Sequence, residues 1–200
     1  NVGIGHVRYS TTGASGIENC QPFIVNFKGG TVALAHNGNL VNSKELRDEL
    51  ESKGSIFITD SDSEVILHLL IKELLRLDPV DSIHAVMRRL TGSYSLTILI
   101  DDLLIAVRDP LGLKPLCIGE VEGGHVVASE SVAIDTLNGK LIRDVNPGEI
   151  VVFKDGEIKS HRIYNEKHPA HCVFEYIYFA RPDLIIDVQF LLRVFDIHFR

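Results

Sequence analysis

Short apolar runs rich in β-branched residues recur along the chain between polar turn signals, at positions 3–9, 23–27, 31–35, 93–100, 103–107, 116–121, 125–128, 149–153 and 157–163. Each has the length and composition of a strand. Gly29-Gly30, Asp101-Asp102 and Asp155-Gly156 separate neighbouring runs in the manner of hairpin turns, so the sheets are expected to be largely antiparallel. Three helical patterns interrupt the strands. Asn42 with Glu45 has capping-box spacing and opens a helix over 43–52, and Asp81-Ser82 opens a shorter one ending near Leu90. Ser61 with Glu64 opens the third, where Val65, Ile66, Leu69, Leu70, Leu74 and Leu77 form one apolar face. Leu67, Ile71 and Leu75 make its opposite side apolar too, so this helix is expected to lie between layers. The pattern predicts an α+β fold of helices packed on stacked antiparallel sheets.

Composition narrows the function classes. The chain has 200 residues, 45% of them apolar and 24% charged, which is ordinary for a folded domain. Its net charge of −7 argues against a phosphate-neutralising surface, so nucleic acid is not an expected partner. Cys20, Cys117 and Cys172 are widely separated and odd in number, which fits a reducing compartment. Neither a leader nor an apolar run of about 18 residues stands out, so no membrane partner and a cytoplasmic location are expected. The chain opens at Asn1 inside what reads as a strand, so a fragment is expected. Its last stretch, 184–200, is apolar but carries Asp187, Arg193, Asp196 and Arg200. That stretch is expected either to dock on the domain or to begin another one.

Three polar clusters stand at the ends of predicted elements, where side chains are held yet reachable. In Gly5-His6-Val7-Arg8-Tyr9-Ser10-Thr11-Thr12-Gly13, an Arg followed by a hydroxyl-rich loop suits a two-pronged grip on a carboxylate, or else a surface ion pair. In Ala35-His36-Asn37-Gly38-Asn39-Leu40, Asn37-Gly38 is either a hairpin turn or a pair of oxyanion donors, the Asn amide beside a Gly N–H. In Thr59-Asp60-Ser61-Asp62-Ser63-Glu64, the acids either complement a helix N-terminus or present a carboxylate to a substrate ammonium group. Arg108-Asp109-Pro110-Leu111-Gly112 has the residue order of a type I turn and reads as structural. His168-x-x-His171-Cys172 does not close a zinc tetrahedron, and no metal site is expected there.

These clusters, with Lys114-Pro115-Leu116 and Ala128-Ser129-Glu130-Ser131 in the same order, resemble the glutaminase domain of class II glutamine amidotransferases over 1–183. Cys172-Val-Phe-Glu-Tyr-Ile-Tyr-Phe-Ala-Arg-Pro-Asp183 looks like the amidophosphoribosyltransferase branch of that family. The resemblance implies an N-terminal-nucleophile (Ntn) hydrolase fold, a four-layer αββα sandwich, here truncated at its N-terminus. It implies a transferase whose glutaminase part hydrolyses glutamine and supplies ammonia to phosphoribosyl pyrophosphate, giving phosphoribosylamine in purine biosynthesis. By the same resemblance, Arg8 and Thr11 would hold the glutamine α-carboxylate and Asp62 its α-ammonium group, while the Asn37 amide and Gly38 N–H would form the oxyanion hole. The family's nucleophile is an N-terminal Cys, so this chain, opening at Asn1, is expected to be inactive alone. Family resemblance also implies a missing phosphoribosyltransferase domain, with 184–200 as its start or a divergent tail, and a homo-oligomer when complete. No cofactor is expected within the chain; Mg2+ and a 4Fe-4S cluster are implied for the complete enzyme, with Cys172 at a position that can be a cluster ligand. Rival readings are glucosamine-phosphate synthase, asparagine synthetase, or a non-catalytic glutamine-binding module.

Overall fold

The computed structural model describes residues 1–7, 16–162, 170, 172, 185–186 and 189–190. Its strands are Phe23–Phe27 (β1), Gly30–Leu40 (β2), Gly92–Ile100 (β3), Leu103–Arg108 (β4), Cys117–Val121 (β5), Gly124–Ala128 (β6), Lys140–Asp144 (β7), Glu149–Lys154 (β8) and Glu157–Arg162 (β9). The short pair Ile185–Ile186 (β10) and Gln189–Phe190 (β11) follows. Helices are Ser43–Ser52 (α1), Asp62–Leu74 (α2), Pro79–Met87 (α3) and Ser131–Thr136 (α4). One sheet runs β1-β2-β3-β4-β8-β9 and a second runs β6-β5-β7. Their pairings are antiparallel, as the three hairpin signals predict.

Strand alternation decides the layers. On one face of the large sheet, Val32, Leu34, Leu96, Ile98, Ile105, Val107, Ile150 and Val152 pack with residues of α1, α2 and α3, among them Leu50, Ile66, Leu70, Ile83 and Met87. Each such side chain contributes about 1.5–3 kcal/mol on full burial, which fastens the helices to the sheet. The opposite face sends Ala106, Val151 and Phe153 into a second core with Leu116, Ile118 and Val145. Ile118 turns inward, so its neighbour Gly119 turns outward, and a Cβ there would stand 2.5 Å from the Ile134 side chain of α4. The layer order is therefore αββα, as expected, with α2 packed against α1, α3 and the large sheet. Among the described residues no helix is long and apolar enough to cross a membrane.

Several local expectations are corrected. Asn42 precedes α1 but does not cap it; its side chain donates to the Arg89 carbonyl (2.9 Å) and accepts from the Thr91 N–H (3.0 Å), tying the helix start to a distant loop. Helix α3 begins at Pro79 because Asp78 accepts from the Val80 and Asp81 N–H groups and a proline at the first position needs no partner. Helix α2 ends at Leu74, short of Leu77. The described part of the first expected strand, residues 3–7, takes no strand conformation, and Arg8 and Tyr9 lie outside the described residues. Strand β7 and helix α4 escaped the sequence reading: the first is charged at three of its five positions and the second is too short to show a period. The tail touches the domain where the Ile185 N–H donates to Ser131 Oγ (3.0 Å) and Ile186 is buried.

Candidate functional site

Strand β2 continues without a break through Asn37-Gly38, which lie opposite Ser95 and Tyr94 of β3. The turn reading of this pair is thereby overturned. Gly38 has φ of +156°, and a Cβ on it would stand 2.1 Å from the Ser93 carbonyl oxygen and 2.7 Å from His36 Nε2. Only glycine lets the strands approach this closely. Alternation places His36 on the helix side, where it is 4% exposed, and the half-buried Asn37 on the other side, toward the space between the sheets.

Asp62, the first residue of α2, meets this strand end directly. Its Oδ2 accepts the Leu40 N–H at 2.9 Å, and its Oδ1 lies 3.5 Å from His36 Nδ1. His36 Nδ1 is also 3.1 Å from Ser63 Oγ. Burial alone would raise the Asp62 carboxyl, but the hydrogen bond from His36, with the Leu40 and Ser63 N–H groups, outweighs it and holds the carboxyl below its ordinary value. The helix does not need Asp62 as its cap, because Ser61 accepts the Ser63 N–H at 3.2 Å. Glu64 does not close the expected box; it turns back to the N–H groups of Ile58 and Thr59 (2.9 and 2.8 Å). Arg47 donates to the Thr59 carbonyl (2.8 Å) while its guanidinium lies 4.0 Å from the Phe57 ring centroid. The loop before α2 is thus fixed from both sides, and Asp62 with it, while Asp60 is left exposed.

Arg8 and Thr11 lie outside the described residues, as does most of the stretch from Cys172 to Asp183. The turn after Arg108 is structural, as expected: Arg108 is buried and donates to the carbonyls of Lys114, Val145 and Gly112. Among the described residues no group of three or more His, Cys, Asp or Glu comes together. Burial and the nearby Asp144 charge push the Cys117 thiol up to about 12, which leaves it inert. What the arrangement offers instead is a side-chain amide beside a glycine N–H, with a fixed anion at the same strand end. That set suits an amino-acid substrate whose carbonyl carbon is attacked. Sequence reasoning gave His36 and Ser63 no role; the visible signal was a His one position before Asn37, and so on the face opposite to it.

The family model of the glutamine amidotransferase domain matches residues 6–136. The amidophosphoribosyltransferase of Archaeoglobus fulgidus is 55% identical over 92% of this chain and 40% of that protein. The same-named protein of Methanocaldococcus jannaschii is 52% identical over 93% of this chain and 43% of its own length. Among solved structures, the glutamine phosphoribosylpyrophosphate amidotransferase from B. subtilis, complexed with ADP and GMP, superposes with a TM-score of 0.85 at 42% identity. It covers 93% of this chain and 40% of that one, so the chain spans about two fifths of the relatives it matches. The fold is the Ntn-hydrolase sandwich of class II glutamine amidotransferases. With a domain match over more than half its length and this layer order, the chain belongs to the glutamine amidotransferase domain family.

Proposed function

We propose that the chain is the glutaminase portion of an amidophosphoribosyltransferase, acting in the cytoplasm as part of a homo-oligomer with a phosphoribosyltransferase domain. The observation that carries this reading is the seat of Asp62 on the Asn37–Gly38 strand end, through the 2.9 Å bond from the Leu40 N–H. It sets an anion beside two candidate oxyanion donors. Arg8, with Thr11, grips the α-carboxylate of glutamine and Asp62 its α-ammonium group. A cysteine thiolate at a processed N-terminus attacks the side-chain amide carbon, its own amine taking the thiol proton and passing it to the leaving nitrogen. The Asn37 amide and Gly38 N–H stabilise the tetrahedral oxyanion, ammonia departs, and water hydrolyses the thioester to glutamate. Ammonia then displaces pyrophosphate from phosphoribosyl pyrophosphate, giving phosphoribosylamine for purine biosynthesis.

The purified full-length protein is expected to release glutamate from glutamine and to form phosphoribosylamine when phosphoribosyl pyrophosphate is present. Glutamine left intact would overturn the glutaminase reading. Glutamine hydrolysis with no transfer to phosphoribosyl pyrophosphate would overturn the choice of acceptor.

A further inference from the structure

We infer that His36 is a positioning residue that, as the Nδ1–H tautomer, locks the Asp62 carboxylate and the Gly38 main chain into one unit; this rests on the glutamine-pocket reading above. A carboxylate only accepts hydrogen bonds, so the approach of Nδ1 to Asp62 Oδ1 is attractive only when Nδ1 carries the proton. Ser63 Oγ shares that proton as a second acceptor. Nε2 is then a bare lone pair, and among the described residues it is buried with no hydrogen-bond partner. A proton there would be a buried donor with nothing to meet, which disfavours the other tautomer.

The ring also accounts for Gly38. Nε2 stands 2.7 Å from where a Gly38 Cβ would be, so the imidazole fills the space under the glycine and holds its main chain against Ser93. The His36 N–H donates to Gln21 Oε1, which fixes the strand at the same residue. His36 is no candidate for general base, since its side chain is 1% exposed and faces the helix layer while Asn37 faces the other side. Its effect on glutamine therefore runs through Asp62, and appears in KM more than in kcat.

Asn and Gln substitutions separate the two ring nitrogens. In His36→Asn the amide nitrogen can take the place of Nδ1 and still donate to Asp62, whereas His36→Gln carries its amide out to the Nε2 position. The experiment is the kcat and KM for glutamine of the full-length protein with His36→Asn, His36→Gln, Asp62→Asn and the double variant Asp62→Asn/His36→Gln, each checked by a thermal melt. Asp62→Asn and His36→Gln are each expected to raise KM about 10-fold or more, the loss of a charge-assisted hydrogen bond, while His36→Asn stays within about threefold. The double variant is expected to add less than about twofold to Asp62→Asn, because both changes remove one interaction. Equal damage from Asn and Gln, or effects that multiply fully in the double variant, would overturn the inference. An unchanged KM in Asp62→Asn would instead overturn the pocket reading beneath it. Should His36→Gln not fold, His36→Asn decides alone: a KM within about threefold supports the lock and a rise of about 10-fold contradicts it.

Discussion

Asp62 and Asp109 are both held by main-chain N–H groups at the start of a helix or turn, yet their carboxyls shift in opposite directions. Asp109 is fully buried and accepts the N–H groups of Leu111 and Leu113 (both 2.9 Å), but burial outweighs these donors and raises it above its ordinary value. Asp62 keeps 20% of its side chain in solvent and gains His36 as a further partner, and it falls below its ordinary value. Around Asp109 the neighbouring Arg108 gives its guanidinium to three carbonyls, those of Gly112 and Lys114 in the segment that follows and that of Val145 just past β7. That cluster is satisfied by its own backbone and holds two layers together. The Asp62 cluster keeps a stable anion partly open and, among the described residues, leaves an imidazole nitrogen without a hydrogen-bond partner. Charged residues that close on backbone read as architecture, and an ionised group with accessible surface reads as a site.

The largest expected effect sharpens the architectural half. Arg108→Leu strands three buried carbonyls and should cost about 3–5 kcal/mol of stability, read as a lower urea midpoint of the full-length protein. A loss under about 1 kcal/mol would show that the turn does not depend on its arginine. Next in size is the effect on the site. Asp62→Asn should raise KM for glutamine about 10- to 100-fold with kcat changed far less, while Asp109→Asn should lower the melting temperature and leave KM in place. Arg8→Lys should act as Asp62→Asn does, because an ammonium keeps the charge and loses the planar fork. If Asp62→Asn left KM untouched and only lowered stability, the two aspartates would be alike.

The smallest effect is a pair of opposite pH slopes. The folded pKa of Asp62 is lowered, so its contribution to stability is present above the unfolded value and is lost as pH falls through the folded one. The folded pKa of Asp109 is raised, so its charged form is the costly one and stability recovers as pH falls through that raised value. In urea melts, the stability gap between wild type and Asp62→Asn should narrow with falling pH, and the gap to Asp109→Asn should widen. Slopes of the same sign would contradict the assigned environments.

Much of the fold was legible because its signals are local. Asp101 at φ of 50°, and Asp155 and Gly156 at 51° and 80°, take the positive φ that tight hairpin turns favour. Helix boundaries were less legible, because Asn42 and Glu64 spend their side chains on residues far along the chain or in the preceding loop, and spacing alone cannot tell that from a cap. At the site, Asn37, Gly38 and Asp62 were legible as residue types suited to the chemistry. Their meeting was not, because it depends on one bond between Leu40 and a helix 22 positions on. His36 was hidden for a related reason: a His next to an Asn in a strand faces the other way, so its part shows only when α2 is seen packed on that face.

The most direct test of the site is the kcat and KM for glutamine of the full-length protein with Asn37→Ala and Asn37→Asp, alongside thermal melts. Asn37 sits inside β2, so its amide is held on the strand and does not close a turn. Loss of an oxyanion donor typically costs about 2.7–4 kcal/mol, so both variants should fold and keep KM while kcat falls about 100- to 1,000-fold. A folded Asn37→Asp variant with near-normal kcat would contradict the assignment, since it would place a carboxylate beside the supposed oxyanion at no cost to the reaction.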